Sequence, residues 1–167
     1  MVAVKKKTAQ PKAKRKIVGW REWVRLPNLH VDKIKAKMDT GARTSALHAF
    51  RVTPFTRDGA SYVRFYLHPI QRKNTPEVKC VALLIDTRVI TDSGGRREER
   101  PVIRTQLKIG KSRYPIELTL TNRDVMGFRL LLGRQALRRR YLVDPSRSFV
   151  IRKKTKRKTK IRRRSST

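Results

Sequence analysis

The chain has 167 residues, with 44 Lys and Arg against 12 Asp and Glu and a formal net charge of +32; that length suits one domain with a real core and is short for two. Its one cysteine, Cys80, excludes an internal disulfide framework, fits a reducing compartment and reads as a small core residue. No run has the apolar length of a membrane span, and the N-terminal charges precede no apolar signal segment, so a cytoplasmic protein is expected.

Residues 1–16 carry seven basic groups and residues 152–167 carry ten, with no acid in either segment. Both ends read as disordered basic tails, because like charges repel and little apolar surface is available to offset the entropy of ordering. Residues 17–151 read as the folded domain and still carry +15. Such a polycation binds polyanions by counterion release, so RNA, the ribosome and acidic polypeptides are the expected partner classes.

Ile17 to Leu26 is rich in β-branched and aromatic residues and is broken by Pro27-Asn28, which predicts a first hairpin with the next strand. That strand alternates Ile34, Ala36 and Met38 with Lys33, Lys35 and Lys37, the pattern of one buried and one wet face. It ends on Asp39. Ala46 to Val52 is another extended piece, stopped by Pro54. Ser61–Leu67 and Val78–Ile85 predict a second hairpin, joined by a loop with Pro69 and Pro76. Thr91 to Arg96 is a turn-rich tip between Val89-Ile90 and Val102-Ile103. Arg104–Ile109 and Tyr114–Leu120 pair around Gly110-Lys111. Leu130 to Leu132 reads as a short buried strand stopped by Gly133, and Arg134 to Arg140 has helical composition. Tyr141–Val143 and Phe149–Ile151 close the domain. The pattern predicts an all-β domain with one short helix.

Asp39 opens a tight turn, Asp39-Thr40-Gly41-Ala42, that can hold a carboxylate rigidly; Gly41 permits close approach, and the hydroxyls of Thr40, Thr44 and Ser45 can tie the turn to nearby backbone. Asp-Thr-Gly is also simply a good turn tripeptide. Competing signals are weaker. Gly110-Lys111-Ser112 lacks the glycine a phosphate-binding loop needs at position 105, and it sits in a hairpin. His30, His48, His68 and Cys80 have no partner at short ligand spacing, so no metal or cofactor is expected. No Gly-x-Ser-x-Gly elbow is present.

Two separated stretches, Met38-Asp39-Thr40-Gly41-Ala42 and Leu131-Leu132-Gly133-Arg134, resemble the two signatures of retropepsin-like aspartic proteases. More closely, Gly-Trp-Arg-Glu-Trp, Lys-x-Asp-Thr-Gly-Ala-Arg-Thr-Ser-Ala-Leu-His-Ala, Thr-Asp-Ser-Gly-Gly, Leu-Thr-Asn-Arg-Asp and Leu-Leu-Leu-Gly-Arg-x-Ala-Leu resemble a bacterial family labelled "ATP-dependent zinc protease". The likeness runs from about Gly19 to Val150. Neither a nucleotide loop nor a zinc motif accompanies it, so the retropepsin likeness guides the reading. Some members of that family are associated with the ligase that adds glutamates to a ribosomal protein, and are implicated in trimming that tail.

The resemblance implies a closed, barrel-like retropepsin lobe with one short C-terminal helix, contributing Asp39 as the catalytic residue. One carboxylate cannot run this reaction: two must share a proton, one acting as base on water and the other as acid. A homodimer must therefore supply the second. Thr40 would brace the two turns, with Gly41 and Ala42 completing the active-site turn. The flap would fall at Ser93, Gly94 and Gly95. The position that is usually acidic in retroviral proteases is Arg43, so its ion pair with Arg134 is lost and a cationic subsite for acidic peptides is implied. Arg134 has a structural reading too, bonded to backbone or to an acid such as Asp124. The rival function is a noncatalytic RNA- or ribosome-binding adaptor on a protease-like scaffold, for which the charge speaks.

Overall fold

The computed structural model describes residues 14–91, 94–122 and 127–151. The architecture is all-β, with strands β1 (Lys16–Gly19), β2 (Arg21–Leu26), β3 (Val31–Asp39), β4 (Ser45–His48), β5 (Phe50–Arg57), β6 (Ala60–Leu67), β7 (Val78–Thr91), β8 (Arg97–Ile109), β9 (Ser112–Thr121), β10 (Leu130–Gly133) and β11 (Tyr141–Asp144). Among the described residues the one α-helix, α1, spans Arg134–Leu137. Among the described residues no helix is long and apolar enough to cross a membrane.

Nine strands form one sheet in the order β2-β3-β10-β4-β9-β8-β7-β6-β5, and the pair Arg25↔Lys108 joins β2 back to β8. Six strands thereby close into a ring around a core that includes Leu26, Ile34, Leu47, Leu107, Leu118, Leu130 and Leu132, all fully buried. The alternation along β3 produces this directly. Ile34, Ala36 and Met38 point into the core while Lys33, Lys35 and Lys37 point outward. Strands β5, β6 and β7 extend the sheet beyond the ring and cover its end with Val63, Phe65, Leu67 and Cys80. Burial pushes the Cys80 thiol up to about 12, so it remains protonated and unreactive.

Several local expectations are revised. Ile17-Val18 leaves the first hairpin to pair in parallel with β11, through Ile17↔Leu142 and Val18↔Val143. Pro54 does not stop a strand: it sits inside β5, the edge strand of the sheet, where a missing N–H costs no ladder bond. The helix ends at Leu137 because Arg138 takes extended dihedrals, φ −55° and ψ 146°. Phe149–Ile151 is not a strand. Phe149 N donates to Arg21 O at 2.9 Å, and the next two amides meet Glu22, a buried carboxylate that accepts from Gly19 N and Val150 N, each at 2.8 Å, and from Ile151 N. Those bonds satisfy a charge that burial would otherwise make costly, and they tie both ends of the domain together. Most of the two basic tails lies outside the described residues.

Candidate active site

The site is built where β3 ends. The chain enters along β3, turns through residues 40–44 and leaves along β4, and β10 is threaded between the two arms. It runs parallel to β3 with Gly133 opposite Asp39, and antiparallel to β4 with Leu131 opposite Ala46. Gly133 is compulsory here. A Cβ at that position would collide with the backbone carbonyls of Thr44 and Arg43. Its amide donates to Ser45 Oγ at 3.1 Å, while Ser45 O accepts from Thr119 Oγ1 at 3.0 Å. Ser45 thus does tie the turn to neighbouring backbone.

The start of α1 fixes the turn from beneath. Arg134 N donates to Ala42 O at 2.9 Å and Gln135 N to Arg43 O at 3.1 Å. The Arg134 guanidinium reaches over the top, Nη1 donating to Gly41 O at 2.7 Å and Thr40 O at 3.0 Å. Four carbonyls of the turn are therefore held by two consecutive residues some ninety positions away. The structural reading of Arg134 applies: it binds backbone, and Asp124 lies outside the described residues.

Asp39 is half-buried at the mouth of this turn. Its Oδ1 accepts from Gly41 N and Ala42 N, both at 3.1 Å, which orients the carboxylate through its own turn. Its Oδ2 makes no hydrogen bond among the described residues. Thr40, Gly41 and Arg43 are exposed and Ala42 is half-buried. Within one chain Gly41 is not compulsory: a Cβ would meet only Asp39 Oδ1, at 3.4 Å, an ordinary contact.

A cleft opens beside the turn, lined by Gly41 to Thr44, Arg134 and Gln135 on one side and by Arg88 to Thr91 of β7, with Glu117 of β9, on the other. Arg88 donates to Asp86 Oδ2 at 2.6 Å and to Glu117 Oε2 at 2.8 Å. The hydrogen bond from Arg88, with that from the Thr87 amide, holds the Asp86 carboxyl below the usual range. The acids of this wall are thus occupied by Arg88. Arg43 has no carboxylate within ion-pair distance among the described residues, which leaves a cation facing the cleft. Nothing in the sequence marks Arg88 or Glu117 as part of the site, since they come from β7 and β9, the strands on either side of β8, and lie far from the Asp39 turn in sequence. Gly94 and Gly95 are exposed in the β7–β8 connection, Gly95 with φ +79°, and Ser93 lies outside the described residues. Neither described glycine lines the cleft. Among the described residues no three of His, Cys, Asp and Glu lie close enough to hold a metal ion.

The chain is similar to several known proteins. Protein Lpg0085 of Legionella pneumophila, a solved structure of unknown function, superposes with a TM-score of 0.71 at 28% identity, covering 83% of this chain and all of that one. Two proteins named "Probable alpha-L-glutamate ligase" are similar in sequence: that of Shewanella pealeana is 47% identical over 135 residues, and that of Desulfotalea psychrophila 47% over 132. The matches cover 81% and 79% of this chain but only 30% and 28% of those proteins, so the chain spans under a third of their length. Residues 17–154 match the RimB-like family, described as "Retropepsin-like aspartic endopeptidase RimB". With nearly the whole described chain inside that match, and Asp39 mounted on a turn threaded by β10, the protein belongs to the RimB-like family of retropepsin-like aspartic endopeptidases.

Proposed function

We propose that the chain is an aspartic peptidase whose dyad is formed by Asp39 of two copies, and that it acts on acidic, glutamate-bearing peptide. The observation that carries this is the state of the Asp39 carboxylate: Oδ1 is fixed by two turn amides, while Oδ2, at a surface turn, has no partner among the described residues. A second carboxylate about 3 Å away would share one proton with it. One acid then polarises the scissile carbonyl as its partner draws a proton from the attacking water, and the roles reverse when the amine leaves. Association has an apolar surface to use. Ile17 and Leu142 face each other across the β1–β11 ribbon and are 46% and 50% exposed. Room beside Gly41 suits the approach of a second turn.

The acidic preference rests on Arg43 in the cleft and on the relatives' names, since a domain like this one forms part of chains named glutamate ligases. A glutamate-bearing product is then the natural substrate class. Hydrolysis of a glutamate-tailed peptide and its glutamine counterpart tests both halves of the proposal. Asp39→Asn should fold normally and lose at least about a hundredfold in rate, because an amide neither shares the proton nor acts as base. Arg43→Ala should lower kcat/KM for the glutamate peptide roughly tenfold more than for the glutamine one. Full activity of Asp39→Asn would refute the catalytic assignment; an equal effect of Arg43→Ala on both peptides would refute the acidic subsite.

A further inference from the structure

The outward face of the β2–β3 hairpin combines two features that the peptidase site does not use. Arg21, Arg25, Lys33 and Lys35 project from it, joined by Lys108 across the Arg25↔Lys108 pair and by Lys111 on the adjoining turn. None of these six has a carboxylate within ion-pair distance among the described residues, and Asp32 is the one acid lining the groove between them. Like charges placed this close repel, and a folded domain retains such an arrangement at a cost in stability. In their midst stands Trp23, 38% exposed, stacked on Phe149 at 5.7 Å and 17°. The Lys33 ammonium lies 4.3 Å from the Trp23 ring centroid and that of Lys35 5.3 Å, while the Arg21 guanidinium covers Phe149 at 5.2 Å. Ile151 lines the same groove, and the ten basic residues of 152–167 follow it in sequence.

We infer that this face is a docking site for single-stranded RNA, with a base stacked on Trp23 and phosphates held by the surrounding cations. Charge alone would equally suit a polyglutamate chain. The exposed indole decides between them, because an aromatic platform among cations matches a polyanion that carries π-faces, whereas carboxylate side chains gain nothing from it. In single-stranded RNA the bases are free to splay out and stack on an aromatic side chain. On binding, the flexible Lys33 stem swings its ammonium from the ring to a phosphate, and a base takes its place.

The test uses the full chain and a labelled oligoadenylate, with fluorescence anisotropy measured across a salt series and tryptophan quenching recorded in parallel. Trp23→Leu should weaken binding roughly tenfold and remove most of the quenching. The double variant Lys33→Gln, Lys35→Gln, which changes only outward side chains, should make the log–log salt slope shallower by about 1.4. Peptide hydrolysis by both variants should stay at the wild-type level. Wild-type affinity and slope in both variants would overturn the site and assign RNA binding to the tails. Binding of a polyglutamate of matched charge as tight as that of oligoadenylate, and equally weakened by Trp23→Leu, would overturn RNA as the occupant.

Discussion

The two sides of the Asp39 turn differ sharply in how completely one chain satisfies them. On the inner side, Gly133, Ser45, Arg134 and Gln135 hold the turn through hydrogen bonds of 2.7–3.1 Å, and no space is left at Gly133 for even a methyl group. On the outer side, Thr40, Gly41 and Arg43 face solvent and Asp39 Oδ2 has no partner among the described residues. The inner side is what a rigid catalytic group needs, since the position of a carboxylate is only as good as the bonds that hold its backbone. The outer side is what the proposed shared site would need, a surface open to a second copy.

Substitutions at the two glycines should separate the inner side from the outer one. Gly133→Ala should destabilise the fold by about 3 kcal/mol or more, because the new Cβ meets backbone carbonyls that cannot move without separating β10 from β4. Denaturant titration measures it. Gly41→Ala should leave the stability of the chain within about 1 kcal/mol, as its Cβ has only an ordinary contact and the alanine restricts the unfolded chain. Its hydrolysis rate should nonetheless fall roughly a hundredfold, the cost of displacing a reacting group by about an ångström. Loss of activity in Gly41→Ala with no effect on stability would place the constraint outside the single chain. Unchanged activity would remove that reason for a second copy.

A smaller effect is expected at the ribbon that bears Ile17 and Leu142. Asp144, at the end of β11, accepts from Ser146 Oγ at 2.6 Å, Arg147 Nε at 2.6 Å and Ser146 N at 2.9 Å. The Ser146 hydroxyl, followed by Arg147, holds its carboxyl at about 2. The ordinary value is about 3.9, so the folded state binds this proton less readily than the unfolded chain. The stabilisation is therefore complete above about pH 4 and is lost as the pH falls towards 2. Asp144→Asn should be less stable than wild type at neutral pH, and the gap should close over that window in urea midpoints. A gap that does not change between pH 2 and 5 would mean the ion pair and hydroxyl bond contribute nothing.

The inner side was legible in part. Alternating lysines and apolar residues announced β3, the carboxylate at its end followed by a glycine announced the turn, and the spacing to Leu131-Leu132-Gly133-Arg134 pointed to a second element of the same site. What Arg134 does there was not legible, because its acceptors are main-chain carbonyls and leave no residue signature. Nor was the relative weight of the glycines: Gly41 stands in the motif and looks compulsory, yet the crowding is at Gly133. The parallel β1–β11 pairing joins segments over a hundred residues apart, beyond any local periodicity. Pro54 misled for a related reason, since only the sheet order shows that β5 is an edge strand.

Dilution with inactive chain shows whether two copies share one dyad. Wild-type chain is mixed with Asp39→Asn chain under conditions that allow subunits to exchange, at constant total concentration, and peptide hydrolysis is followed as the wild-type fraction falls. A dyad with one carboxylate from each chain requires two wild-type copies, so activity should fall with the square of that fraction. A linear fall would mean that each chain hydrolyses peptide by itself, with no shared dyad.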